Sequence, residues 1–261
     1  MSWEEDWPII GERVFEATDY PYGKPVITYQ KPNVGKKSIL LEPATSDDFS
    51  SEKLGLQWQW NANGKKEWYE LTDQVLHLKA IAYPQELPYG DQPNLLLQKW
   101  PAPEFQCTYH VNLSHMEVGD VAGVISMGMS YGLIALEKMD TGIQVSFLIG
   151  KQFFEGSLVS KTIEEKTILE VLPAETKELS VVYSVKQIGR RDLNEKEKDF
   201  PKEQVSISYT SDQIEGFTYK EAGRMIAEPG RWVGTKNGLF CRSNKEASKG
   251  YLEVTKVSYE R

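Results

Sequence analysis

The sequence has few residues of the types that build disulfide frameworks or metal sites. Its 261 residues include only two cysteines, Cys107 and Cys241, and three histidines, His77, His110 and His115. Two cysteines cannot form a disulfide-rich scaffold, and their apolar, strand-like surroundings favour buried reduced thiols, although a single disulfide stays open. The histidines are not spaced as zinc ligands, either with one another or with cysteine. The sequence therefore argues against a disulfide-stapled or zinc-dependent protein.

Positive charge and long apolar runs are also scarce. Lys and Arg number 30 against 38 Asp and Glu, so the formal net charge is -8. Because nucleic-acid affinity rests largely on clustered basic side chains, nucleic acid is not expected as a partner, whereas a neutral glycan is not excluded. No run approaches the roughly 20 apolar residues that span a bilayer, and the acidic start lacks the features of a signal peptide. We expect no membrane segment, and either a cytoplasmic protein or a periplasmic one whose signal lies outside this sequence.

What the sequence has instead is a succession of β-strand patterns. Leu54–Trp60 alternates apolar and polar residues, which predicts a strand with its leucines and tryptophans on a core face and Gln57 and Gln59 opposite. Further short runs follow as far as Tyr251–Tyr259, separated by turns such as Asn63-Gly64. Many strands with few helical stretches predict an all-β fold, a β-sandwich of two antiparallel sheets.

Residues 1–44 differ from the rest of the chain. Pro21, Pro25, Pro32 and Pro43 block helix and interrupt strand ladders. We predict an extended N-terminal arm or linker over residues 1–44 and a β-sandwich domain over residues 45–261. The two tryptophans of the arm suggest the severed end of a preceding domain.

No complete catalytic motif is recognisable in the sequence. Sandwich-fold glycosidases place carboxylates at alternating positions of one strand, and the Glu-x-Asp starts at Glu4 and Glu197 both lack the final glutamate. A Gly-x-Ser-x-Gly nucleophile turn and a glycine-rich phosphate loop are absent as well.

Aromatic and amide side chains are the remaining candidates for binding. Aromatic rings stack on the apolar faces of sugar rings, while amides and carboxylates bond to the hydroxyls. For each aromatic candidate, a role in packing is favoured over ligand binding. The loop Tyr83–Asn94 is long and proline-containing, which favours a functional loop. The candidates are Gln57, Gln59, Trp68, Tyr69, Tyr83 and Tyr89.

Several long motifs of this sequence resemble motifs that occur in the same order in one known protein family. They are Asp47–Phe49 with Leu54–Asn61, Asp91–Lys99, Gly119–Val124, Met127-Gly128 with Tyr131, and Pro229–Cys241. Together they resemble the C-terminal concanavalin A-like sandwich of family 43 glycoside hydrolases, which are β-xylosidases and α-L-arabinofuranosidases. The start of the chain, from Trp3 to Val26, resembles the stretch that leaves the catalytic propeller of those enzymes. The resemblance implies a concanavalin A-like jelly roll preceded by an extended arm.

The same resemblance implies an accessory role. In that family the three catalytic carboxylates belong to a five-bladed propeller that precedes the sandwich, so none is assigned to a residue of this chain. The sandwich of the β-xylosidases closes over the propeller's pocket and lends it a loop. By this resemblance Tyr83–Asn94 lies near a substrate, with Asp91 and Gln92 as hydrogen-bonding groups. The family's aromatic contributor there is often Phe, whereas this loop offers Leu87 and Tyr89.

Related sandwiches sometimes bind calcium between their first and last strands. Asp47, Asp48 and Glu253 could supply oxygen ligands for such an ion. The last strand, however, begins Gly250–Thr255 and lacks the two Asp positions that are common in the family. Calcium is therefore an option, and no cofactor is required.

Three hypotheses about function stay open. The preferred one is a non-catalytic sandwich of a xylan- or arabinan-degrading system that completes a propeller's pocket or binds neutral xylo- or arabino-oligosaccharides by itself. A second is a structural module that docks on a partner carrying the propeller. The third is an independent glycosidase with an unrecognised site around Tyr83–Asn94.

Overall fold

The computed structural model describes residues 2–4, 7–9, 45–84, 86–156, 158–188, 202–230 and 233–261. The chain divides into two units, Met1–Glu42 and Pro43–Arg261. In the first unit, β1 (Ser2–Glu4) and β2 (Trp7–Ile9) pair in antiparallel fashion. The rest of the arm predicted over residues 1–44 lies outside the described residues. No helix in the described ranges is long and apolar enough to cross a membrane.

Among its described residues, the second unit contains two sheets, of which the first has eight strands. In chain order they are β3 (Gln59–Trp60), β6 (Ile81–Ala82), β7 (Leu96–Lys99), β9 (Asp120–Met127), β10 (Ser130–Met139), β11 (Gly142–Glu155), β12 (Leu158–Leu172) and β16 (Lys236–Ser243). Across the sheet the order is β12-β11-β10-β9-β16-β7-β3, and β6 pairs with β16 in parallel. All other pairings in this sheet are antiparallel.

The second sheet has seven strands within the described ranges. They are β4 (Tyr69–Thr72), β5 (Val75–Lys79), β8 (Phe105–Asn112), β13 (Glu178–Ile188), β14 (Lys202–Ser211), β15 (Lys220–Ile226) and β17 (Tyr251–Glu260). Their order is β15-β14-β13-β8-β17-β5-β4. Short 3-10 turns lie at Lys66–Trp68, Tyr89–Asp91 and Glu215–Phe217. The prediction of an all-β sandwich of two sheets is confirmed.

Alternation along the strands explains the sandwich core. In β8 every second residue, from Phe105 to Val111, is buried between the sheets, and the residues between them are partly or fully exposed. The first sheet is different, because β10 is buried on both faces: Ile134 belongs to the core between the sheets, and Leu133 belongs to a second apolar cluster on the outer face. A strand covered on both sides is apolar along nearly its whole length, as β10 is.

The prediction of one continuous strand over Leu54–Trp60 is wrong in its first half. The backbone N–H of Trp58 donates to the carbonyl of Gly55 at 3.1 Å, which closes a turn, and only the last two residues form a strand. Leu56 is therefore fully exposed rather than in the core. Trp58 is buried in the core and Trp60 packs against it, as predicted.

Three side-chain hydrogen bonds cross the core between the sheets. The Nδ2 of Asn237, on β16, donates to the hydroxyls of Tyr109 on β8 at 2.5 Å and Tyr259 on β17 at 2.8 Å. The hydroxyl of Tyr183, on β13, donates to Ser126 on β9 at 2.9 Å. These bonds help to satisfy the buried phenol groups.

Both cysteines are buried in the core as free thiols. The expectation of reduced, buried thiols is confirmed. Burial raises the pKa of Cys107 to about 12 and also raises the pKa of Cys241, so both groups are protonated at neutral pH.

Candidate functional site

The loop Tyr83–Asn94 lies against the outer face of the first sheet and covers the apolar cluster there. Tyr89 is the loop's aromatic contribution to this cluster, with its ring edge-on to Phe240 and the centroids 5.2 Å apart. Gln85 is outside the described residues. The other buried members of the cluster are Leu95, Leu97, Val121, Ile125, Tyr131, Leu133, Ala135 and Leu148.

Hydrogen bonds to the main chain fix both ends of the loop. The backbone N–H of Tyr83 donates to the carbonyl of Ser243 at 3.0 Å, and the side-chain amide of Asn94 donates to the carbonyl of Cys241 at 2.8 Å. Asn61 donates from its side chain to the carbonyl of Gln92 at 3.0 Å. The loop is therefore attached to β16 and to the segment that follows β3.

A carboxylate on β12 holds the middle of the loop. Oε1 of Glu164 accepts hydrogen bonds from the backbone N–H of Tyr89 at 2.8 Å and from the hydroxyl of Tyr131 at 2.5 Å. The backbone at Gly90 approaches so closely that a Cβ there would lie 2.9 Å from both Tyr131 and the amide of Gln152. Only glycine fits at this position without displacing those side chains.

Arg242 lies beneath the loop with almost no exposure. Its guanidinium carbon is 3.6 Å from the ring centre of Tyr89 and 5.6 Å from that of Tyr83, a cation–π arrangement. The residue is 5% exposed, and its buried Nη1 has no hydrogen-bond partner within the described part of the chain. Burial, with a smaller contribution from Asp91, raises the pKa of Tyr83 to about 12, and burial also raises the pKa of Tyr89. Both phenols are thus neutral hydrogen-bonding groups.

Polar side chains form the rim of the loop. Asp91 is exposed, and its Oδ1 accepts a hydrogen bond from Gln152 on β11 at 3.0 Å. On the opposite face of β11, Lys151 forms an ion pair with Glu228 at 2.8 Å. Burial alone would raise the pKa of Glu228, but hydrogen bonds from Lys151 and from Ser130 outweigh it, so this pKa lies below its usual value. The rim of the loop therefore offers one charged acceptor, Asp91, and one amide, Gln152.

The predicted sugar-binding residues occupy three separate places. Tyr83, Tyr89, Asp91 and Gln92 share the loop, whereas Gln57 and Gln59 line a groove at the β3 edge, and Trp68 and Tyr69 pack on Trp60. The structure does not bring these groups together into one site.

Burial removes some of these residues from direct contact with a sugar. Trp68 and Tyr89 are each 5% exposed. Gln92 is fully buried, and its Nε2 donates a hydrogen bond to Oδ1 of Asn94. The prediction that they touch a sugar does not fit, because their rings and amide are used in packing. Tyr83, Tyr69, Gln57 and Gln59 are partly exposed, and Asp91 is exposed.

The three acidic residues predicted as calcium ligands make different contacts. Asp47 accepts a hydrogen bond from Nε1 of Trp58 at 2.8 Å, and Asp48 is exposed and bonds within its own turn. Glu253 faces the Nε2 of His77 at 3.8 Å. Within the ranges that the structure describes, no group of three or more His, Cys, Asp or Glu residues could hold a metal ion. Calcium binding stays a prediction.

Sequence reasoning missed the residues that support the loop. Glu164 lies in a strand rich in charge, where nothing distinguishes it from the exposed Glu165 beside it. Arg242 carries a stronger signal, since a single basic residue follows the apolar run that ends at Cys241. Gln152 gave no signal, because its role depends on the β10–β11 pairing.

Comparison with known proteins gives a consistent result. The family described as the β-xylosidase C-terminal concanavalin A-like domain matches residues 46–260. A β-xylosidase of Formosa agariphila is 30% identical over 270 residues, which cover 100% of this chain and 41% of the relative. A putative β-xylosidase of Xylanibacter ruminicola is 42% identical over 86 residues, 30% of this chain and 14% of that protein. The chain therefore spans less than half the length of these relatives.

Solved structures with the same fold include enzymes of family 43. A bifunctional GH43-CE protein of Bacteroides eggerthii has a TM-score of 0.63 at 19% identity, over 99% of this chain and 30% of that chain. The xylan β-1,4-xylosidase of Bacillus halodurans has a TM-score of 0.61 at 12% identity, over 100% of this chain and 46% of that chain. At these sequence identities, the similarity to the solved structures concerns the fold alone. The family itself is shown by the family match, which covers nearly the whole second unit. This chain belongs to the family of β-xylosidase C-terminal concanavalin A-like domains.

Proposed function

We propose that this chain acts as a non-catalytic accessory sandwich in a xylan- or arabinan-degrading system of family 43 glycoside hydrolases. Its loop Tyr83–Asn94 completes the substrate pocket of a catalytic propeller. The observation that carries this proposal is the way the loop is held: main-chain and carboxylate hydrogen bonds fix it, while Asp91 at its rim stays exposed. A preorganised loop loses little conformational entropy when it meets a ligand.

The electrostatics of Glu228 and Asp91 favour a supporting role. A glycosidase needs a carboxylic acid whose pKa is raised so that it can protonate the leaving oxygen. Glu228 has the opposite shift, since Lys151 and Ser130 stabilise its charged form. Asp91 is exposed and bonded to Gln152, an arrangement suited to accepting hydrogen bonds from sugar hydroxyls.

Hydrolysis assays test the non-catalytic part of the proposal. We expect no turnover of nitrophenyl β-xyloside or nitrophenyl α-L-arabinofuranoside by the isolated chain. Turnover that disappears when Glu164 or Asp91 is replaced would instead identify an independent glycosidase.

A chimera tests the role of the loop. The chain is substituted for the matching segment of the Formosa agariphila β-xylosidase, and kcat/KM is measured for xylobiose. Asp91→Ala should lower kcat/KM by about tenfold, the effect of losing one hydrogen bond worth about 1.4 kcal/mol. Asp140→Ala, in the turn between β10 and β11, is the matched control. Equal kcat/KM for both variants would refute the role in the pocket.

An apolar surface on β11 and β12 favours the second hypothesis, a module that docks on another domain. Ile149, Phe153 and Ile163 are 39%, 41% and 41% exposed. They share one face, because Ile163 pairs with Lys151, which lies between the other two on β11. Exposed apolar clusters mark interaction surfaces. If docking is the whole function, Ile163→Glu should lower the melting temperature of the chimera while Asp91→Ala leaves kcat/KM unchanged.

A further inference from the structure

A groove at the β3 edge of the first sheet is distinct from the loop Tyr83–Asn94. It has a volume of about 480 Å³, within the range of small-ligand sites. Its walls come from the turn before β3, from the end of β7 and from the end of β17. The lining residues are Thr45, Leu56, Gln57, Gln59, Gln98, Lys99, Trp100, Pro101 and Arg261.

Three amides supply the polar side of this groove. Gln57 is held by a bond from its Nε2 to Oδ2 of Asp47 at 3.2 Å, and buried Gln98 donates to the carbonyl of Thr45 at 3.0 Å. Gln59 projects from β3 and is partly exposed. A carboxamide carries both donors and an acceptor, which suits hydroxyl groups that also do both.

The apolar side of the groove contains a fixed aromatic ring. Trp100 is partly exposed, and its ring is oriented by edge-on contacts with Phe105 at 5.8 Å and Tyr183 at 6.4 Å. Leu56 lies fully exposed in the turn that forms another wall. A preoriented indole next to exposed aliphatic surface is suited to the apolar face of a sugar ring.

The charged side chains that line the groove limit the kind of ligand that it can bind. No Asp or Glu occurs among the described residues that line the groove, although the chain as a whole has a net charge of -8. The charged lining residues are Lys99 and Arg261. A cationic ligand is therefore disfavoured, and a neutral, hydroxyl-rich ligand matches the amides and the indole.

We propose that this groove is an auxiliary binding site for a neutral oligosaccharide, a short segment of the xylan backbone. The choice of xylan rests on the proposed function, whereas the preference for a neutral saccharide follows from the lining residues alone. Such a site would keep the chain on the polysaccharide while the loop Tyr83–Asn94 serves the pocket, and this tethering raises the local concentration of substrate.

Calorimetric titration of the full chain with xylohexaose tests the site. Gln59→Ala should weaken binding about tenfold, and Leu56→Asp should weaken it as well without touching the core, since Leu56 is fully exposed. The matched control is Gln106→Ala, on the outer face of β8, which should bind xylohexaose as the unchanged chain does.

The outcomes separate this site from the proposed pocket function. Two outcomes would refute the groove as a binding site. One is the absence of xylohexaose binding; the other is binding that survives Gln59→Ala and Leu56→Asp but is lost in Asp91→Ala. Equal binding of cellohexaose would overturn the assignment to xylan. Groove variants should leave the hydrolysis of xylobiose by the chimera unchanged, because none of the lining residues belongs to the loop Tyr83–Asn94. A failed pocket role therefore does not affect this result.

Discussion

At the scale of single residues, the sandwich depends on a few polar groups placed in an apolar core. Asn237 is fully buried and joins β16 to both β8 and β17, the two strands opposite it. Its Oδ1 is buried without a hydrogen-bond partner among the described residues. The Nδ2 group alone still fixes how the two sheets are positioned against each other, because its two N–H donors must reach two particular hydroxyls.

Replacing Asn237 should destabilise the fold. Asn237→Ala leaves the phenols of Tyr109 and Tyr259 without their common donor and opens a small cavity, so we expect a loss of about 2–3 kcal/mol in the free energy of unfolding. Urea denaturation measures it, with Asn244→Ala, an exposed residue near the end of the same strand, as the control. A loss no larger than that of the control would mean that the network contributes nothing.

The histidines should make stability depend on pH. Burial, with a smaller contribution from Lys256, lowers the pKa of His110 below its usual 6.5, so the folded chain takes up this proton less readily than the unfolded chain. Its contribution is complete above pH 6.5 and is lost as the pH falls from there towards the lower folded pKa. His110→Gln should therefore reduce the loss of unfolding free energy between pH 7 and pH 5.5.

Two comparisons make the test of His110 decisive. Lys256→Gln should reduce the same slope by a smaller amount, because the lysine is the lesser cause of the shift. Identical slopes for the unchanged chain and His110→Gln in urea titrations would contradict the assignment.

At the scale of elements, the loop Tyr83–Asn94 behaves as part of the first sheet. Its contacts go to three different strands: Arg242 on β16, Gln152 on β11 and Glu164 on β12. β16 is far along the chain from β11 and β12, so the conformation of the loop depends on the completed sheet. The loop is thereby fixed by structure that forms only once distant strands have paired.

Removing the carboxylate of Glu164 should release the loop. Glu164→Ala takes away the acceptor for the Tyr89 amide and the Tyr131 hydroxyl, which we expect to cost about 1–3 kcal/mol and to speed hydrogen exchange at the amides of Tyr89 and Gln92. Glu165→Ala changes the exposed neighbour on the other face of β12 and serves as the control. Unchanged exchange in Glu164→Ala would show that the apolar contacts of Tyr89 suffice.

At the scale of the whole molecule, the two sheets should unfold as one unit. Cys107 belongs to the second sheet and Cys241 to the first, and both thiols are buried in one continuous core. In native buffer neither should react with a thiol reagent, and in denaturant both should react at the same rate as the loss of tryptophan fluorescence. A thiol that reacts earlier than its partner would reveal separate opening of one sheet.

The strands of the core could be predicted from the sequence better than the residues that support the loop Tyr83–Asn94. The alternation in β8 predicts its strand correctly, because a period of two records a surface with one buried face. The same rule fails at Leu56. The sequence there alternates as in a strand, but the hydrogen bond from Trp58 to Gly55 folds the backbone into a turn. The support from Glu164 could not be predicted, because it depends on which strands become neighbours.

The first and last segments of the sandwich run side by side. Asp47 exchanges backbone hydrogen bonds with Val257 at 2.9 and 2.8 Å, and the backbone N–H of Tyr259 donates to the hydroxyl of Ser46. A short peptide could therefore join Arg261 to Thr45, and new ends could be opened at the exposed tip between β10 and β11. The sandwich is thus a candidate for circular permutation, and for insertion into a loop of another protein whose two loop ends lie close together.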